Sequence, residues 1–186
     1  MGWIIAVFVI ALVLGPVMYL KPSAKENRLA ALRLAARKAG LTVKLDSIPT
    51  FDPEPAERVS AGGEVRQITR SCAAYQRGIT LSEPMPIQFR VLRMPPTPTV
   101  PVNEVHPGWA LDQGLDGSFE NKVGQSIYGL LDKAPAFCVG FSVDARFLSC
   151  YWFEQAQEGG TEVDEIAVFL QSAEREIASL VTIQDV

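Results

Sequence analysis

The sequence predicts an α+β fold: one N-terminal transmembrane helix, a basic juxtamembrane helix, and a single small domain that combines helices with an antiparallel sheet. Three patterns support this prediction. Residues 3–20 form an unbroken uncharged run, later segments alternate apolar and polar side chains, and others repeat apolar side chains at helical spacing. The resulting boundaries are 1–20 for the anchor, 21–40 for the basic helix and 41–186 for the α+β domain.

The uncharged run contains 18 residues. As a helix it would extend roughly 27 Å, close to the thickness of a hydrocarbon core of about 30 Å. Trp3 and Tyr19 stand near its two ends, where such side chains favour the lipid–water boundary. Ala11 and Gly15 are small residues four positions apart, a spacing that lets helices pack closely in lipid and would allow a homo-oligomer. Because nothing basic precedes Trp3, a retained anchor is favoured over a cleaved secretory signal.

The segment that follows is strongly basic. Its basic residues are Lys21, Lys25, Arg28, Arg33, Arg37 and Lys38, against the single acid Glu26. Positive charge directly after a membrane span stays on the cytoplasmic side, which predicts an external N-terminus and a cytoplasmic domain. These side chains either contact anionic lipid headgroups or act only as a topology signal. Ser23 and Glu26 predict a capping box at the start of a helix, and Gly40 predicts its end.

Several segments of the domain are predicted as strands. Residues 41–46, 72–79 and 86–93 carry strand patterns, most cleanly where apolar and polar side chains alternate. Residues 137–143 and 147–153 are two apolar runs joined by a short turn at Asp144-Ala145, which predicts a hairpin. The proline-rich stretch 94–101 is interpreted as a stiff connector, with docking to an aromatic groove as the alternative.

Two further helices are predicted in the second half of the domain. Residues 118–134 place apolar side chains on one stripe, and Pro135 ends the pattern. Residues 162–181 repeat the same spacing after the Gly159-Gly160 break. The acidic residues at the start of this last helix complement its dipole, a simpler interpretation than metal binding.

Residues that could carry chemistry are few. His106 is the only histidine and stands in a turn-rich stretch, where a plain loop residue is favoured over a catalytic one. Cys138 and Cys150 belong to the predicted hairpin and are interpreted as small buried residues, with a redox pair as the alternative. No phosphate-binding glycine motif occurs. We therefore assign no catalytic, cofactor or metal residue, and the net charge of −4 argues against nucleic acid as a partner.

Several short motifs resemble one known family. They are Val-Leu-Gly-Pro-Val-Met-Tyr-Leu at the end of the uncharged run, the following Lys-Pro-Ser-Ala-Lys-Glu-Asn-Arg, Val59–Gly63, Cys72–Tyr75, His106–Trp109 and Tyr151–Glu154. The chain resembles an uncharacterised family of gammaproteobacterial membrane-anchored proteins, often labelled YajC-type preprotein translocase accessory subunits. This resemblance implies a single-pass protein of the bacterial inner membrane, with a periplasmic N-terminus.

Three functions are consistent with these patterns. The favoured one is a non-catalytic, membrane-anchored interaction module whose cytoplasmic domain binds a membrane protein partner or stabilises a complex. The resemblance implies a second, an accessory subunit of the protein-export translocase. The third is an enzyme whose site is assembled from residues far apart in the sequence.

Overall fold

The structure, a computed structural model, describes residues 23–57, 63–64, 67–80, 88–114, 122–155 and 161–184, with the isolated positions 2, 3, 8 and 12. The chain divides into two compact units, residues 1–34 and residues 35–186. The second unit contains the whole sheet that the structure describes.

Within the described residues, seven strands form one antiparallel sheet. They are β1 (Thr42–Pro49), β2 (Thr69–Gly78), β3 (Phe89–Arg93), β4 (Asn103–His106), β5 (Trp109–Gly114), β6 (Gly140–Val143) and β7 (Phe147–Trp152). Their spatial order is β1-β2-β7-β6-β3-β5-β4, and each neighbouring pair is antiparallel. The predicted hairpin, β6 with β7, is confirmed and lies at the centre of the sheet.

The longer described ranges contain three helices: α1 (Ala24–Lys38), α2 (Lys122–Leu131) and α3 (Glu162–Gln184). The predicted capping box is confirmed at the start of α1. The Ser23 backbone N–H donates to Glu26 Oε2 at 2.6 Å, and the Glu26 N–H donates to Ser23 Oγ at 3.2 Å. Gly40 follows the helix with a φ of 77°, a left-handed conformation that favours glycine and ends α1 as predicted.

Helix α3 packs across one face of the sheet, which we call the inner face. Directly paired strand residues share a face, and one row of the inner face consists of Tyr75, Cys150 and Phe141. The Phe141 ring meets Phe169 of α3 edge-on, with 5.4 Å between ring centroids. Tyr75 makes a similar contact with the buried ring of Trp152. The main apolar core therefore lies between the inner face and α3.

The hairpin of β4 and β5 was not predicted from the sequence, which placed His106 in a loop. The Pro107-Gly108 turn joins the two strands, and Gly108 has a φ of 80°. Proline followed by a left-handed glycine is typical of a tight turn. Both strands are short and rich in polar residues, so they lack the apolar alternation that reveals a strand.

The predicted fold class is wrong in one respect. No helix within the described residues is long and apolar enough to cross a membrane. The longer helices, α1 and α3, both carry several charged side chains, and a spanning helix needs about 20 predominantly apolar residues. This finding contradicts the transmembrane helix predicted over residues 1–20, most of which lie outside the described residues. The single-pass inner-membrane location, with a periplasmic N-terminus and a cytoplasmic domain, loses its basis with that helix.

Candidate functional site

The face of the sheet opposite α3, which we call the outer face, carries two adjacent cross-strand rows. Register places Gln76, Ser149, Ser142 and Arg90 in the first row. It places Lys44, Ala74, Tyr151, Gly140 and Leu92 in the second. Each row draws on strands that are far apart in the sequence, so folding brings a polar row beside a more apolar one.

Arg90 is the central charge of the polar row. Its Nε donates to Asp112 Oδ2 at 2.5 Å, and both side chains are largely buried. The guanidinium carbon also lies 5.9 Å from the centre of the Tyr151 ring. Burial alone would lower the pKa of Arg90, but the hydrogen bond and charge of Asp112 raise it above its usual value. Arg90 therefore keeps its positive charge and is already paired with Asp112.

Hydroxyl and amide groups extend the network from Arg90. Gln76 Nε2 donates to Ser149 Oγ at 3.2 Å, and the Ser142 and Tyr151 hydroxyl oxygens are 3.3 Å apart. Burial raises the pKa of Tyr151, against the opposing effects of the Ser142 hydrogen bond and the charge of Arg90. Tyr151 therefore keeps its proton at neutral pH and can both donate and accept a hydrogen bond.

These side chains line an open groove of about 430 Å³, which we call the polar groove. Its polar lining includes Lys44, Asp46, Gln76, Arg90, Ser142, Asp144 and Tyr151. Two cations, Lys44 and Arg90, stand near three carboxylates, those of Asp46, Asp112 and Asp144. The groove therefore has no excess of positive charge and offers both hydrogen-bond donors and acceptors.

A separate pocket of about 260 Å³, mostly apolar, lies farther along the same strands. Thr50, Asp52, Arg70 and Arg93 form the polar part of its lining. Its apolar lining is Ile48, Pro49, Phe51, Leu92, Met94, Pro95, Val139 and Phe153. Ile48 follows Asp46 by two residues in β1, and Leu92 follows Arg90 by two residues in β3, so each pair points to one face. The Tyr151 ring packs in the apolar cluster beneath, while its hydroxyl lines the groove. We call the groove and the pocket together the outer-face cleft.

The proline-rich connector 94–101 borders the apolar pocket. Thr99 N–H donates to the Phe51 carbonyl at 2.9 Å, and the Thr99 hydroxyl donates to Asp52 Oδ1 at 3.1 Å. These bonds attach the connector to the loop that follows β1. Met94, at the start of the connector, lines the pocket directly. The connector thus helps to build one end of the cleft.

His106 lies away from the cleft. Its Nε2 is 2.8 Å from Asp132 Oδ1, and its ring stacks on Tyr128 of α2 at 5.0 Å. These contacts join β4 to α2, which is a structural role. Within the described ranges, no group of three or more His, Cys, Asp and Glu side chains is placed to hold a metal ion.

The residues singled out in the sequence do not meet in the cleft. Trp3 is 72% exposed. Helix α1 carries four exposed basic residues, Lys25, Arg28, Arg37 and Lys38, and the half-buried Arg33. The described residues do not include Tyr19, Lys21, Ala11 or Gly15. Cys138 and Cys150 do come together, with their sulfurs 2.9 Å apart. The cleft itself was missed, although alternate polar residues in strands with one apolar face signal it.

Comparisons with known proteins give little further information. No family model matches the chain, and no curated protein matches its sequence. Among solved structures, it is similar to the crystal structure of the mycobacterial trehalose monomycolate transport factor A, TtfA, with a TM-score of 0.45 and 7% sequence identity. That alignment covers 78% of this chain and 92% of the other.

Proposed function

We propose that this protein is a non-catalytic interaction module whose outer-face cleft binds an extended segment of a partner protein. The observation that carries the proposal is that successive same-face residues of β1 and β3 line first the polar groove and then the apolar pocket. A peptide in extended form can place an apolar side chain in the pocket and polar groups in the groove. The cleft offers a complementary surface to each.

The apolar pocket fits one large anchoring side chain. Phe153 is 41% exposed at its rim, although large aromatic side chains are usually buried in a fold of this size. Ile48 and Leu92 form its buried floor. Binding energy in protein interfaces concentrates on such central, desolvated aromatic and aliphatic contacts.

The polar groove favours a peptide over the other ligand classes. Lys44 and Arg90 are balanced by nearby carboxylates, whereas nucleic acid binding relies on uncompensated cations. Small-molecule pockets are mostly apolar with few polar groups, and this groove is lined mainly by polar side chains. Hydrogen-bond donors and acceptors in the groove can instead pair with the backbone and polar side chains of an extended polypeptide.

Site-specific photo-crosslinking in the cells that naturally produce the protein tests this proposal. A photoreactive residue replaces Lys44 in the polar groove or Phe153 at the apolar pocket, and Val168 serves as the control. Val168 is 63% exposed on α3, on the other side of the sheet. We expect both cleft positions to capture the same protein and Val168 not to capture it. Equal capture from all three positions, or none from the cleft, would contradict the proposal.

Charge reversal provides a second arm of the same experiment. Lys44→Glu changes the groove, and Arg175→Glu makes the same change at an exposed position on α3. We expect Lys44→Glu to weaken the crosslink from position 153 severalfold and Arg175→Glu to leave it unchanged. Both variants alter exposed side chains, so neither should affect folding by more than about 0.5 kcal/mol. Equal effects would show that overall charge, rather than the cleft, governs binding.

A further inference from the structure

Two cysteines that the cleft does not use lie against each other in the core. Cys138 stands in the turn before β6, and Cys150 lies in the middle of β7. Both side chains are fully buried, and their sulfurs are 2.9 Å apart. The hairpin strand β6 separates them in sequence, so a link between them would close a short loop around the centre of the sheet.

The sulfur–sulfur distance is shorter than an ordinary van der Waals contact between two thiols. A disulfide bond has a length of about 2.0 Å, so the two sulfurs need to approach by less than about 1 Å. Cys138 Sγ also lies 3.1 Å from the Gly140 carbonyl, which fixes the direction of its side chain. The two sulfurs therefore already lie within a small side-chain movement of bonding distance.

We propose that Cys138 and Cys150 form an intramolecular disulfide that attaches the turn before β6 to strand β7. The oxidant is a disulfide-bearing compound, such as glutathione disulfide or an oxidised dithiol protein. The Cys138 thiolate attacks one oxidant sulfur, forming a mixed disulfide and releasing one thiolate. The Cys150 thiolate then attacks the Cys138 sulfur and releases the second. Each cysteine loses its proton, and the two electrons reduce the oxidant to two thiols.

The exchange takes place while the chain folds or opens locally, because both sulfurs are inaccessible in the closed core. The third cysteine cannot compete for either partner in the folded protein. Cys72 lies in the apolar cluster of the outer face, with Leu92 and Tyr151, and Cys150 lies on the inner face. The sheet itself separates them. Cys72 therefore stays a free thiol and serves as an internal reference.

Counting free thiols after refolding tests the proposal. The reduced, unfolded full chain is refolded in a buffer of reduced and oxidised glutathione, quenched with acid, unfolded again and alkylated. We expect one alkylated cysteine per chain, Cys72, and, before alkylation, a mass lower by two hydrogens than that of the fully reduced protein. Digestion should yield a peptide pair joined through positions 138 and 150. Three alkylated cysteines, a bond to Cys72, or glutathione attached to the pair would overturn the proposal.

Cysteine variants and melting temperatures give two further measurements of the same disulfide. Cys72→Ala should leave no alkylated cysteine before reduction, and Cys150→Ala should leave two. Reduction should lower the melting temperature of the wild type by roughly 6–12 °C, the effect expected for a disulfide that closes a loop of this length. The double variant Cys138→Ala/Cys150→Ala should not respond to reductant. An equal melting temperature for oxidised and reduced wild type would contradict a bond in the folded core.

Discussion

Gly140 shows how one residue shapes the floor of the outer-face cleft. A Cβ built at this position would lie 2.7 Å from Leu92 Cδ2 and 3.3 Å from both Tyr151 Cδ2 and the Val91 carbonyl oxygen. The absence of a side chain lets Leu92 and Tyr151 approach each other across β6. The two side chains belong to one buried cluster. Leu92 lines the apolar pocket and Tyr151 lines the polar groove.

We expect Gly140→Ala to lower the free energy of unfolding by roughly 1–3 kcal/mol, because overpacking forces neighbouring side chains to move. Gly129→Ala is the matched control. Position 129 lies within α2 and has nothing within 4 Å of a built Cβ, so alanine should stabilise the helix by up to about 1 kcal/mol. Urea unfolding of both variants measures the two effects. A neutral Gly140→Ala would mean that Leu92 adjusts without cost.

Cys72 makes stability depend on alkaline pH. Burial raises the pKa of its thiol to about 11, with a further rise from the charge of Asp46 and a smaller opposing effect of Arg90. The usual value is 9.0. Between these two values the folded chain keeps a proton that the unfolded chain has lost. The free energy of unfolding should therefore fall as pH rises from about 9 to about 11.

We expect Cys72→Ala to remove up to roughly 2 kcal/mol of this decline, since one unit of pKa difference corresponds to about 1.4 kcal/mol. Alanine lowers stability at every pH because it leaves a small cavity, so the slope with pH is the informative quantity. Urea unfolding of the variant and the wild type across this range measures both slopes. Parallel curves would assign the alkaline decline to other groups.

At the scale of secondary structure, the sequence predicts an element well when its signal is local. The capping box needs only Ser23 and Glu26, and the β6–β7 hairpin needs two apolar runs with a short turn. The β4–β5 hairpin fails this test because its strands are short and polar, and only Pro107-Gly108 marks the turn. The transmembrane prediction used the length and composition of the run and the aromatic residues near its ends, and the described helices of the structure do not support it.

One ion pair joins the sheet to α3. Arg77 Nε of β2 donates to Glu174 Oε2 at 2.6 Å, and both side chains are about a quarter exposed. Partial burial reduces solvent screening of the pair. A double-mutant cycle with Arg77→Ala and Glu174→Ala should give a coupling energy of about 1 kcal/mol, which falls little with added salt.

The matched control is the ion pair between Lys133, which follows α2, and Glu176 of α3. Their contact is similarly short, 2.7 Å, but the lysine side chain is 61% exposed. Exposed pairs contribute little because water screens the charges and a flexible side chain must be held in place. We expect a coupling energy below about 0.5 kcal/mol that disappears at high salt. Equal couplings would show that burial does not set the strength of either pair.

At the scale of the whole molecule, the outer-face cleft depends on pairing between distant strands. Lys44 and Tyr151 share a cross-strand row only because β2 pairs with both β1 and β7. Arg90 lies beside Ser142 only because β3 pairs with β6. Alternation within each strand assigns residues to a face but does not say which strands are neighbours. The strand order places β7 beside β2 and β3 beside β6, which local patterns do not reveal. The sequence therefore predicts the strands of the cleft better than the cleft itself.

The same strand order sets where the molecule should be most stable. Every residue of β6 and all but Phe147 in β7 are buried, whereas β4 has no buried residue and β1 has one. Buried strands at the centre of a sheet exchange their amides mainly through unfolding of the whole domain, while edge strands open locally. Native-state hydrogen exchange should therefore give the slowest amides in β6 and β7, with opening free energies close to that of global unfolding. Amides of β4 should exchange fastest among the strands. If β1 were protected as strongly as β7, its edge would have to be covered, because burial in this chain alone does not provide that protection.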